Sequence, residues 1–183
     1  MIHNKLLLLC IAIICITTVS NAQMNSYGMR LGANYSSVNG DDIPEEFDDS
    51  RIGIAVGFFA EITLKKNLLF QPELQYSAQG NKEEDFRIDY IQAPMIFKYN
   101  VHRFLNVQLG PQVGLKIWEW EDSNNYKTFD FAAVAGLGIT ITKNIFVDLR
   151  YAYGLSNIVD EDNFASINDG KNRNIQLSIG YKI

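Results

Sequence analysis

Residues 51–64 read Arg51-Ile52-Gly53-Ile54-Ala55-Val56-Gly57-Phe58-Phe59-Ala60-Glu61-Ile62-Thr63-Leu64. Successive side chains of an extended strand point to opposite faces. On that period Ile52, Ile54, Val56, Phe58, Ala60, Ile62 and Leu64 form an unbroken apolar face, while Arg51, Gly53, Ala55, Gly57, Phe59, Glu61 and Thr63 form a face mixing charge with glycine. A helix would scatter both sets around its circumference. The stretch is therefore read as a long β-strand with two chemically distinct sides.

The same alternation runs outward in both directions. Tyr27–Tyr35, Leu68–Gln79, Leu105–Trp118, Phe129–Ile141, Ile145–Gly154 and Arg173–Ile183 all follow it, and no segment reads as an amphipathic helix. In Phe86–Val101 the pattern changes phase. Ile88 and Tyr90 share one parity and Met95, Phe97, Tyr99 and Val101 the other, which predicts a β-bulge near Ala93-Pro94. Including this segment gives eight strands.

Connections alternate between tight ones (Lys65-Lys66-Asn67, the turn around His102-Arg103, Thr142-Lys143-Asn144) and long polar ones (36–50, 80–85, 119–128, 155–172). An even-numbered up-and-down transmembrane barrel with short periplasmic turns and long external loops has this order. A membrane-crossing strand needs roughly 9–11 residues, a length these strands reach. The soluble rival is a lipocalin-like barrel with its apolar face inward. Glycine decides between them. Ten of the 13 glycines (28, 32, 53, 57, 110, 114, 136, 138, 154 and 180) share the charged face, and the other three (40, 80 and 170) fall in loops. A narrow eight-stranded barrel must fill its interior with side chains of fitted size, so a face of glycines interleaved with charges suits the inside. The expected fold is an all-β, eight-stranded antiparallel up-and-down transmembrane β-barrel.

The inward face then carries Arg30, Arg51, Lys116 and Arg150 against Glu61, Glu73, Asp130 and Asp148. Charges removed from water need partners, so these eight are expected to form an interior salt-bridge network that plugs the lumen.

The chain of 183 residues is 47% hydrophobic and 20% charged, which suits one domain. Its first 22 residues contain Lys5, an apolar run from Leu6 to Ile16, and the small-x-small triplet Ser20-Asn21-Ala22. That predicts a secretory signal peptide cleaved after Ala22, leaving 23–183 as the barrel domain. Cys10 and Cys15 both lie within the leader, so the mature chain has no thiol for a disulfide, a metal or a nucleophile. Without Lys5 the net charge falls from -5 to -6, which gives no nucleic-acid footprint.

Several further segments carry a resemblance: Gln71-Pro72-Glu73-Leu74-Gln75-Tyr76-Ser77 with Gly80; Asp89-Tyr90-Ile91-Gln92-Ala93-Pro94; Leu109-Gly110-Pro111-Gln112-Val113-Gly114; Gly136-Leu137-Gly138; Arg150-Tyr151-Ala152-Tyr153-Gly154-Leu155-Ser156-Asn157; and Lys171-Asn172-Arg173. In this order, across almost the whole mature chain, they resemble the PorT-like outer-membrane β-barrel (porin family) proteins of Bacteroidetes. The resemblance implies an eight-stranded outer-membrane barrel. It also implies an alternative role as an accessory component of surface protein secretion, with secretion proteins as partners. The chain departs from many outer-membrane barrels in ending on Ile183, with Tyr181 two residues inside, where an aromatic residue commonly stands.

No catalytic constellation is expected. His102 is the only histidine outside the leader and lies in a periplasmic turn, away from any outer-surface triad. Carboxylates Glu61, Glu73 and Asp148 read as partners of interior arginines. One histidine and no thiolate leave a transition metal poorly supplied, and no cofactor is expected.

The first long loop holds Asp41, Asp42, Glu45, Glu46, Asp48 and Asp49 and no basic residue. It lacks the spacing and glycine of an EF-hand, so its expected role is long-range attraction of divalent cations or a basic partner. Summed over 36–50, 82–85, 119–127 and 160–169, the long loops carry -14, leaving +8 for the rest of the mature chain. Aromatic residues near strand ends (Tyr27, Tyr35, Phe70, Tyr76, Trp118, Trp120, Phe129, Tyr151, Tyr153 and Tyr181) suit the two interfacial girdles of a membrane barrel. The expectation is a monomeric structural or interaction protein, not an enzyme, whose partners are outer-membrane lipid, the barrel-assembly machinery and envelope proteins. A small solute or ion channel is a further alternative.

Overall fold

The computed structural model describes residues 23–39, 50–80, 87–119, 127–158 and 170–183. Residues 1–22 with their two cysteines, the acidic residues 41–49, Trp120 and most of the other loop charges lie outside the described residues. Eight strands, β1 (Gln23–Asn39), β2 (Arg51–Lys65), β3 (Leu68–Gly80), β4 (Arg87–His102), β5 (Leu105–Glu119), β6 (Phe129–Thr140), β7 (Ile145–Gly154) and β8 (Lys171–Lys182), close into one antiparallel barrel in sequence order. β8 pairs with β1, so neither keeps a free edge. β1 extends four residues beyond the Tyr27–Tyr35 pattern at each end. Residues 23–26 are mostly polar and interrupted by a register shift between Met24 and Ser26, and this hides their alternation.

The barrel is staggered. The ladder from Met24 passes through Ile62, Phe70, Phe97, Leu109, Ala135, Tyr151 and Ile175 and meets β1 again at Tyr35. That climb tilts the strands and sets a lumen that side chains can fill.

The apolar face is outside. Ile52 is 77% exposed, Leu109 65% and Phe58 61%, and similar residues cover every strand. A water-soluble chain does not present so much continuous apolar surface, whereas hydrocarbon matches it. The polar face is inside and buried, which rules out the lipocalin arrangement for this chain.

Strand β4 corrects one expectation. Its register runs unbroken past Ala93-Pro94: Gln75 faces Gln92, Pro72 faces Met95, and Pro94 faces Gln112. The shifts against β5 fall instead between Asp89 and Tyr90 and between Asn100 and His102. Ile88, Tyr90, Gln92, Pro94, Ile96 and Lys98 all point inward on one parity. The apparent phase change arose because β4 itself turns apolar side chains inward, with Ile88, Tyr90 and Ile96 buried on that parity.

The inward glycines fit by necessity. A Cβ on Gly110 would stand 2.0 Å from the Met95 carbonyl oxygen, and one on Gly53 2.1 Å from that of Ala78. Among the described residues, only Gly80, closing β3 at φ 99°, is a glycine for its backbone angle.

Candidate functional site

The lumen is built from alternate residues of all eight strands, and its centre is ionic. Arg30 from β1 reaches Glu73 on β3 through Nη1 at 2.6 Å and approaches Asp148 on β7 at 3.8 Å. Its Nη2 also donates to the Ser178 hydroxyl on β8. Arg150 on β7 donates from Nη1 and Nη2 to the two oxygens of Glu73 at 2.9 and 2.8 Å, and from Nη2 to Asp148 at 3.3 Å. Two guanidinium groups and two carboxylates thus share one dry cluster, none more than 3% exposed by side chain. Bidentate arginine–carboxylate geometry is the strongest form of such a pair.

Amides extend the cluster. Gln108 accepts from Arg150 Nε at 2.8 Å and donates to Asp148 at 2.7 Å, while Gln71 donates to Glu73 at 2.5 Å. Farther along, Gln75 donates to Gln92, and Gln176 donates to Gln75. Sequence reading did not single out these amides. Their signal was glutamine at every fourth position of β3, at 71, 75 and 79, on the face already assigned inward.

The other four charges expected in the network are placed elsewhere. Glu61 lies toward the short-turn end, where it accepts from Lys182 at 2.6 Å, from the Ser26 hydroxyl at 3.0 Å and from Lys98 at 3.4 Å. Lys98 and Lys182 were missed, although both occupy inward parity on their strands. Asp130 receives hydrogen bonds from Ser156 at 3.0 Å and Asn172 at 3.4 Å. Arg51 stands at the long-loop rim, donating to the Gln79 carbonyl at 2.8 Å and lying 4.0 Å from Asp89, which also accepts from the Tyr76 hydroxyl. Lys116 is half-buried on inward parity.

His102 is exposed beside the turn into β5, its ring 5.8 Å from that of Phe104. Outside the barrel, Tyr27, Tyr35, Trp118, Phe129, Tyr151, Tyr153 and Tyr181 are exposed on the apolar face, while Phe70 and Tyr76 are half-buried.

Chemically, the arrangement neutralises charge within a closed lumen and leaves a lipid-matched exterior. The family model described as outer membrane protein beta-barrel domain matches residues 21–160. No curated protein matches the chain in sequence. Among solved structures, the chain is similar to Neisserial surface protein A at 17% identity and a TM-score of 0.61, covering 86% of this chain and 97% of that one. It is also similar to Ail, the attachment invasion locus protein of Yersinia pestis, at 15% identity and a TM-score of 0.56, covering 88% of this chain and all of that one. At these identities the likeness is one of fold.

Proposed function

Because the chain belongs to the outer membrane protein beta-barrel domain family, we propose that it is a plugged, non-conducting barrel whose role is structural or interactive, exerted through its acidic external loops. The protein is a small β-barrel of the outer membrane. The observation that carries the reading is the Arg30–Glu73–Arg150–Asp148 cluster, which ties β1, β3 and β7 together across the lumen. Water and ions passing through would have to displace charge-assisted bonds that hold one another in place.

The decisive experiment is single-channel recording of the purified barrel in planar bilayers. No steady conductance step is the expected result, and a reproducible open level would replace this reading with a small solute or ion channel.

In this reading residues 1–22 are removed on export and the barrel-assembly machinery inserts 23–183 as a monomer. β1 opens at Gln23, the residue after the expected cleavage site. The intact mass of protein taken from outer membranes should correspond to a chain starting there. Catalysis has no part in the proposal. The ordered motifs from Gln71 to Arg173 that resemble PorT-like barrels favour a second reading, an accessory place in surface protein secretion. A deletion strain that loses secreted cargo from its surface would select it.

A further inference from the structure

At the short-turn end the barrel opens into a cavity of about 440 Å³, within the size range of small-molecule sites. Its charged lining consists of Lys98, Arg103 and Lys182 against the single carboxylate of Glu61, with His102 beside them and the Phe146 ring as an aromatic wall. The central cluster offsets this excess only in part: Asp148 and Glu73 lie within electrostatic reach of Lys98, but both are shared with Arg30 and Arg150, and Arg150 opposes them there.

Lys98 is the revealing residue. It is 3% exposed, yet its hydrogen bond to Glu61 is long, at 3.4 Å, and that carboxylate is already engaged by Lys182 at 2.6 Å and by Ser26. The Lys98 ammonium also stands 4.5 Å from the centre of the Phe146 ring, and Lys182 stands 5.4 Å from it. An ammonium carries three donors. Burying one beside a shared carboxylate and an aromatic face leaves both charge and hydrogen-bonding capacity for an acceptor in the cavity.

We propose that this vestibule is a binding site for a small oxyanion, a carboxylate or phosphate group of a periplasmic solute. Lys98 and Lys182 would hold it from the cavity floor and Arg103 from the mouth. The oxyanion would offset the net charge of two that Lys98, Arg103 and Lys182 leave against Glu61. The inference is independent of whether the barrel conducts, since the site lies at one mouth, outside the central cluster.

The test uses the barrel extracted from outer membranes into a zwitterionic detergent, with inorganic phosphate as the probe and the width of its 31P line as the readout. Saturable broadening is expected. Lys98→Met should weaken the midpoint tenfold or more, and Arg103→Gln, at an exposed position that leaves folding intact, should weaken it several-fold. Glu61→Gln should tighten it, because it removes the competing carboxylate. Absence of saturable broadening in the folded parent protein would overturn the assignment. So would a midpoint that Arg103→Gln and Glu61→Gln both leave unchanged.

Discussion

Arg150 grips both carboxylate oxygens of Glu73 at once, Nη1 to Oε2 at 2.9 Å and Nη2 to Oε1 at 2.8 Å, although 77 residues separate them in the chain. Arg30 takes the same Oε2 from another side at 2.6 Å. Glu73 is therefore the shared anion of two buried guanidinium groups, and its removal leaves both with only Asp148 between them. Glu73→Ala should cost about 3–5 kcal/mol of unfolding free energy, the usual penalty for breaking a buried ion pair from one side. Urea titration of the barrel, followed by the gel-mobility difference between folded and boiled forms, measures it. A loss below 1 kcal/mol would mean that the cluster is solvated and holds little.

Two glycines on β5 should respond in opposite ways to the same change. A Cβ at Gly110 meets the Met95 carbonyl oxygen at 2.0 Å, and backbone in a closed sheet has nowhere to retreat. At Gly114 the nearest atom is a Tyr90 ring carbon at 3.3 Å, a side-chain atom rather than backbone and more than 1 Å farther away. Gly110→Ala is expected to destabilise by about 1–3 kcal/mol through overpacking. Gly114→Ala should stay within about 1 kcal/mol of the parent, since it relieves the entropic penalty of glycine in a strand. Equal unfolding midpoints for the two variants would contradict the packing described for the lumen.

Strand number and facing were legible because period-two alternation is a local property and both faces are chemically consistent over most of each strand. Which inward charges meet was not legible. Glu73 and Arg150 come together only through the stagger of the whole barrel, and alternation says nothing about stagger. Asp130 resembled any other inward carboxylate, but register gives it Ser156 and Asn172 as donors. Ile88 and Tyr90 misled because β4 carries apolar side chains on its inward parity, against the rule of apolar residues outward, and a bulge was inferred where the register is continuous. Lys98 lies on that same strand, so a doubtful phase for β4 obscured the cation nearest the vestibule.

The lipid-facing belt predicts a depth dependence. Leu149 and Leu177 pair across β7 and β8 near mid-strand and are 51% and 55% exposed, whereas Ile141 lies beside a short turn at 60%. Exposure is thus similar, and the difference is depth in the bilayer. Leu149→Arg should cost about 2–4 kcal/mol and Ile141→Arg about 0–1 kcal/mol when unfolding is followed in lipid vesicles. Indistinguishable losses would argue that Leu149 does not lie at the hydrocarbon centre.

Phe146 and Gly180 face each other across β7 and β8, and the glycine exists for the ring. A Cβ at position 180 would meet three atoms of the Phe146 ring at 2.1, 2.5 and 2.7 Å, while the ring packs edge-on against Phe59 with centroids 5.3 Å apart. Gly180→Ala alone should therefore lose about 1–3 kcal/mol by overpacking, and Phe146→Ala alone about 3–5 kcal/mol by leaving a void. The double variant should lose less than the sum of the two. Once the ring is gone the added methyl meets no obstacle and fills part of the void, so contacting sites should show a coupling of about 0.5–3 kcal/mol. The four unfolding curves of this cycle decide the point. Additive losses would show that Gly180 is excluded from larger side chains by its backbone neighbours on β1 and β7, not by Phe146.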